Sequence, residues 1–205
     1  QIIAKDRLGR LTLMPGMITP LIEAVRENGS RVRGIKWIGV MADLVPLGQI
    51  AEVTKLLNAP YLNTFGATET GLAPASAGTI AIGEIAESLD KKQSALCQIK
   101  LVDDQDHEVP NGEPGELVIR SPALFSGYWK NPKTNARDFR GGWFHMGDMF
   151  RRNPDGTLSF VDRRKYLIKS GGENIYPAEL ERVILSDPRV LEAAVVRQKD
   201  VEWGE

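Results

Sequence analysis

From Gln98 onward, short apolar runs alternate with turn chemistry, and this pacing constrains the fold more than any other feature of the chain. Gln98 to Val102 and Glu116 to Arg120 flank a polar stretch, Asp103 to Gly115. Met149 to Arg152 and Thr157 to Val161 flank Asn153-Pro154-Asp155-Gly156, whose residues suit a tight reversal between strands. The stretch predicts a small, mostly antiparallel β unit.

The sequence on either side has a different texture. Before it, Thr19 is expected to cap a helix, with Pro20 in its first turn and Asn28-Gly29 at its end. Leu21, Ile22 and Val25 share one face of that helix. Ile35 to Val40 reads as a buried strand, Gln49 to Leu57 as a helix, and Tyr61 to Phe65 as a further strand. Such alternation predicts α/β layering on a parallel sheet. After Asp162, Tyr166 to Lys169 predicts a strand, Pro177 opens a helix, and Val190 to Val196 predicts another strand. The fold class is therefore α/β plus β.

Charge excludes one large class of partner. Lys and Arg total 26 against 27 Asp and Glu, so the basic excess of a nucleic-acid binder is missing. Cys97 is the sole cysteine, which rules out an intrachain disulfide and suits a reducing, cytoplasmic compartment. No apolar run approaches a membrane span, and no signal peptide opens the sequence. The chain starts at Gln1 without methionine and stops just after an apolar run, so both ends read as cuts.

Four motifs can carry chemistry. In Asn63-Thr64-Phe65-Gly66-Ala67-Thr68-Glu69, Gly66 allows close backbone approach and Thr68 offers a hydroxyl to phosphate. Glu69 offers an oxygen to Mg²⁺, and Phe65 a face to a flat ring. The same residues also suit a strand followed by a capped helix start. Gly115 to Arg120 alternates as a half-buried strand and is assigned no chemistry. Trp143-Phe144-His145-Met146-Gly147-Asp148 reads as a packed strand ending in a turn, where Asp148 can accept hydrogen bonds from a ribose diol or simply close the turn. The spacing of His145 and Asp148 suits a metal pair, but further ligands are missing. In Asp162 to Pro177, Arg163 can bind ribose or phosphate. Gly171-Gly172 forms a loop before a helix start, a place that favours anions, although such a cluster is also an ordinary solvated surface.

Taken together, in this order and spacing, the motifs resemble the adenylate-forming superfamily, and most closely its acyl-CoA synthetases. The resemblance runs from about Tyr61 to Glu205 and is most specific at Thr68-Glu69, Gly147-Asp148 and Asp162 to Pro177. It implies the end of a large α/β domain over residues 1–75 and a small antiparallel β-barrel-like subdomain over 76–161. Over 162–205 it implies a hinge and the start of a small α+β lid domain. It also implies ATP, Mg²⁺ and CoA as cofactors, a small carboxylic acid as substrate, and an acyl-adenylate between the two half-reactions. Self-association into a homodimer is left open.

By the same resemblance, Glu69 holds Mg²⁺ and Thr68 contacts phosphate. Phe65, where tyrosine is common, lies by adenine. Asp148 binds the ribose hydroxyls, with Arg163 assisting. Lys165 is the hinge, and Ser170, Gly171, Gly172 and Glu173 line a pantetheine tunnel. Val40, Met41 and Ala42 line the acyl pocket, with Met41 where many members have glycine. Met146 and Met149 stand where threonine and leucine are usual. The phosphate-cradling loop and the lysine that promotes adenylation are expected outside this sequence. Rival readings are a non-catalytic nucleotide-binding module, an adenylation domain loading a different acceptor, and a luciferase-like oxygenase.

Overall fold

The computed structural model describes residues 8–28, 34–187, 189–190, 192–201 and 203–204. The chain divides into two units, Gln1–Phe65 with Ala75–Lys91, and Gly66–Pro74 with Lys92–Glu205.

In the first unit, β1 (Arg10–Leu11), β2 (Trp37–Ile38) and β3 (Tyr61–Phe65) run parallel, and β4 (Ala75–Ile80) pairs antiparallel with β3. Helices α1 (Ile18–Asn28) and α2 (Leu47–Leu57) accompany them. Ile18, Ile22, Ile38, Ile50, Val53, Leu57 and Tyr61 belong to one buried cluster. The expected helical face is present, but α1 begins a residue before Thr19, after a 3₁₀ turn at Pro15–Met17. The Thr19 hydroxyl therefore does not cap the helix and donates to Gln49 Oε1 at 3.3 Å. Gly29, the expected helix end, lies outside the described residues. Helix α2 ends where Asn58 adopts a left-handed φ of 50°, a conformation asparagine tolerates.

Strand β2 is shorter than the expected run of Ile35 to Val40, and Gly39 shows why. Its φ is +75°, and a Cβ placed there would lie 2.2 Å from the Tyr61 ring. The backbone thus leaves the ladder and crosses the tyrosine. Tyr61 donates its hydroxyl to Met41 O at 3.1 Å, and burial pushes its pKa up to about 12.

In the second unit, β5 (Lys92–Gln93) is a two-residue strand. Strands β6 (Gln98–Val102), β7 (Pro114–Arg120), β8 (Phe144–Arg152) and β9 (Leu158–Arg163) form an antiparallel meander in that order. The Asn153 to Gly156 turn joins β8 to β9 as the sequence predicts, with Gly156 N–H donating to Asn153 O at 2.9 Å. Helix α3 (Pro132–Asp138) follows Asn131, whose side chain accepts the Thr134 N–H. Strands β10 (Ile168–Ser170) and β11 (Glu173–Ile175) form a hairpin, and α4 (Pro177–Ile184) follows.

Two further expectations, both after Asp162, need correction. The strand expected at Tyr166 begins later, because Arg164–Tyr166 is a 3₁₀ turn. No strand forms among the described residues of 190–196. One amide there, Val195 N–H, is taken by the Glu181 carboxylate at 2.8 Å instead of a neighbouring strand.

Substitutions at two glycines should separate steric from conformational cost. Gly39→Ala forces both a ring clash and a left-handed φ, and should destabilise by more than about 2 kcal/mol. Gly156 has a φ of +83° but open space around its Cβ position. Gly156→Ala should therefore cost only about 1 kcal/mol. Urea unfolding of both variants checks the contrast, and equal losses would remove the Tyr61 crossing as the cause.

Candidate functional site

Glu69 sits in a 3₁₀ turn, Thr68–Thr70, directly after exposed Gly66 and Ala67. The turn is held from both sides. Thr70 Oγ1 donates to Ala67 O at 2.8 Å, and Phe125 N–H donates to Glu69 O at 3.0 Å. Tyr128 donates its hydroxyl to Glu69 Oε1 at 3.0 Å. Its own pKa rises to about 12, first through desolvation and then because ionisation would break the bond to Glu69. Glu69 is half-buried and Thr68 exposed, so the brace still leaves carboxylate oxygen for a hard cation. No cluster of three or more His, Cys, Asp or Glu suited to a metal occurs among the described residues. One carboxylate suits Mg²⁺, which keeps water and phosphate oxygens as its remaining ligands.

Gly147 and Asp148 do not close a turn, as their sequence suggests. They lie inside β8, where Val118 pairs with His145 and Glu116 with Met149. Met146, Gly147 and Asp148 therefore stand opposite the single Leu117, forming a β-bulge that Gly147 permits with a φ of +74°. The bulge sets Asp148 across from Arg163 on β9, with Arg163 Nε 3.5 Å from Asp148 Oδ1. Asp148 is buried, and its pKa is raised to about 6, mainly by desolvation; Arg163 partly offsets this and Glu116 adds to it. Glu69 and Asp148 belong to the same unit and are linked through aromatic packing. The Phe125 ring lies 4.8 Å from Tyr128 and 5.3 Å from Phe144, the first residue of β8.

The sequence reading missed Glu116. The residue is 4% exposed, and its carboxylate accepts hydrogen bonds from four groups. Oε1 takes Gly147 N–H at 3.2 Å, while Oε2 meets His145 Nδ1 at 3.2 Å, Arg140 Nη2 at 3.4 Å and Arg164 Nη1. His145 is thus paired to Glu116 rather than set beside Asp148 as a metal ligand. The strand expected to be half-buried is instead buried from Gly115 to Ile119, and an acidic residue directly before the apolar run Leu117 to Ile119 was the one available signal.

Lys165 is exposed within its 3₁₀ turn, with Nζ 4.7 Å from the Tyr166 ring centroid. Ser170 pairs with Glu173, so Gly171 and Gly172 form the two-residue turn of the β10–β11 hairpin. Their φ values of +56° and +85° meet the demand of such a turn. The glycines therefore do not open the helix. The N-terminus of α4 is occupied from within, since Asp162 Oδ2 accepts Ala178 N–H at 2.9 Å.

The remaining site residues lie in the first unit. Val40 O accepts the Thr64 hydroxyl at 2.9 Å, and Ala42 N–H donates to Asn63 Oδ1 at 3.4 Å. Met41 is half-buried. Next to them, Asp43 is fixed by Lys91 Nζ at 2.6 Å, an ion pair with both side chains almost fully buried, which sequence reasoning also missed. Phe65 is buried at the end of β3.

The raised pKa of Asp148 has a thermodynamic consequence. A carboxyl whose folded pKa exceeds its unfolded value favours the folded state most when neutral, so this stability fades as pH rises from about 4 to about 6. Asp148→Asn should then raise stability near neutral pH by on the order of 2 kcal/mol and change little below about pH 4. Thermal melts across pH check this, and an equal shift at every pH would contradict it.

Comparison with known proteins bears on the whole arrangement. Residues 1–129 match the AMP-binding enzyme family. Indoleacetate–CoA ligase of Aromatoleum aromaticum is 32% identical over 208 residues, covering 99% of this chain and 39% of the relative. The 2-succinylbenzoate–CoA ligase of Geobacillus kaustophilus is 40% identical over 161 residues, covering 76% of this chain and 31% of that protein. Among solved structures, the o-succinylbenzoate CoA synthetase of Bacillus subtilis with its acyl-adenylate intermediate superposes with a TM-score of 0.74 at 31% identity. That superposition covers 98% of this chain and 40% of the synthetase. The chain thus spans less than half the length of these relatives. The match to the family covers well over half of its residues, and the chain belongs to the AMP-binding enzymes, with acyl-CoA ligases among its relatives.

Proposed function

We propose that the protein is an acid–thiol ligase that uses ATP and Mg²⁺ to make an acyl-adenylate and pyrophosphate, after which the CoA thiol takes the acyl group and displaces AMP. The observation that carries this reading is the bulge that presents Asp148 beside Arg163, in the same unit as a braced Glu69. A ribose diol donates two hydrogen bonds, and a desolvated carboxylate flanked by a guanidinium is a strong acceptor for them. Glu69 would hold Mg²⁺, which would offset phosphate charge as the carboxylate of the acid attacks the α-phosphate and the bond to the β-phosphate oxygen breaks, releasing pyrophosphate. Thr68 would contact the phosphate, and Gly66 would let the backbone approach it. Phe65, being buried, would offer adenine a wall rather than an open platform.

In this reading Val40, Met41 and Ala42 line the acyl pocket, and Lys165 is the hinge. Ser170, Gly171, Gly172 and Glu173 line the path of the pantetheine thiol. The meander is the barrel-like subdomain, and the residues after Asp162 begin the lid. The described residues contain no helix long and apolar enough to cross a membrane. A panel of fatty, aromatic and short-chain acids assayed with ATP and CoA on the full-length protein identifies the acid.

The two half-reactions test the assignments separately. Asp148→Ala should lower kcat/KM for ATP by roughly 10- to 100-fold, in line with the loss of charge-assisted hydrogen bonds. Lys165→Pro should spare acid-dependent ATP–pyrophosphate exchange and impair thioester formation. Equal losses in both steps for Lys165→Pro would count against the hinge. The 205-residue chain by itself should give no exchange, and measurable exchange would contradict the placement of essential groups outside it.

A further inference from the structure

We propose that Glu116 is a positioning residue for the nucleotide step: its buried carboxylate fixes the bulge that presents Asp148 and ties that bulge to Arg164, the residue before the hinge position. This inference rests on the ligase reading above. Its starting point is the backbone. Three residues of β8 face one residue of β7, so the regular ladder is interrupted there. Glu116 Oε1 takes the Gly147 N–H at 3.2 Å and so supplies a partner that the interrupted ladder does not. Gly147 directly precedes Asp148, and this bond sets where the ribose-binding carboxylate stands.

The other oxygen does different work. Oε2 meets Arg164 Nη1, Arg140 Nη2 and His145 Nδ1. Each guanidinium is also held by a second carboxylate: Arg164 Nη2 by Asp104 Oδ1 at 2.8 Å, and Arg140 Nη2, the same nitrogen that reaches Glu116, by Asp106 Oδ1 at 2.8 Å. The carboxylate is thereby locked between two anchored cations. Arg164 also lines a cleft of about 130 Å³ together with Glu116, Asp104 and Lys169, so the lock lies where the segment after Lys165 meets the meander.

Glutamine cannot replace this carboxylate at equal geometry. Its side chain offers one acceptor oxygen and a donor NH₂. If the oxygen faces Gly147 N–H, the NH₂ faces two guanidiniums. If it is flipped, the NH₂ faces the Gly147 N–H. Either way a donor meets a donor in a buried site, and the bulge must shift.

Asp148 is assigned to ribose binding, which the ground state and the transition state share. Glu116→Gln in the full-length protein should therefore raise KM for ATP about tenfold in pyrophosphate exchange, with kcat per active site within about twofold. A role in folding alone would instead lower the amount of active enzyme and leave KM unchanged. Because the effect runs through Asp148, the double variant with Asp148→Asn should raise KM no further than the larger single effect. Arg164→Met, which loosens the same carboxylate from its more exposed side, should raise KM in the same direction and guards against a poorly folded Glu116 variant. Amide hydrogen exchange at Gly147 gives a readout free of activity and should quicken in Glu116→Gln.

Unchanged KM in both variants, additive effects in the double variant, or unaltered Gly147 exchange would each overturn the inference. Absence of pyrophosphate exchange in the unaltered protein with every acid would instead overturn the ligase reading, while Gly147 exchange would still decide whether Glu116 holds the bulge.

Discussion

A single carboxylate, buried at Glu116, gathers the groups around which the second unit is arranged. It bonds the bulge in β8, reaches His145 on the same strand, and draws in Arg140 after α3 and Arg164 after β9. Removing one partner of such a buried charge cluster is costly because the remaining charges stay desolvated. The cluster also makes sense of the unfavourable position of Asp148. That carboxyl is held in a place that raises its pKa, and the bulge that holds it is pinned in turn by Glu116.

The first unit solves a related problem with different parts. The segment after β2 must leave the sheet, and Gly39 lets it pass over Tyr61 at a distance no side chain would permit. Tyr61, Asn63 and Thr64 on β3 then bind Met41, Ala42 and Val40 in turn. Lys91 closes the arrangement by pairing with Asp43 and donating to Leu89 O at 3.0 Å. Irregular backbone is thus fixed residue by residue.

Much of the fold was legible in the sequence wherever it depended on local pattern. Tyr61–Phe65 and Gln98–Val102 are strands at the expected residues, the Asn153 to Gly156 reversal is a hairpin, and Pro177 opens α4. The order and spacing of the motifs also pointed to the family that the chain belongs to. What could not be read depended on partners distant in sequence. Gly147-Asp148 resembles a turn until β7 is set opposite it with too few residues. Glu116 looks like the polar half of a strand alternation until Arg164, 48 positions later, arrives beside it. Asp43 and Lys91 are likewise 48 residues apart, and nothing local marks either as buried. Thr19 is a sound cap by composition, yet the 3₁₀ turn before it moves the helix start upstream.

The most direct test of this account is a crystal structure of the full-length protein with AMP bound. It should place the ribose hydroxyls within hydrogen-bonding reach of the Asp148 carboxylate, about 2.6–3.0 Å, with Arg163 alongside. A nucleotide bound with its ribose far from Asp148, or on a surface that excludes Glu69 from the phosphates, would contradict it.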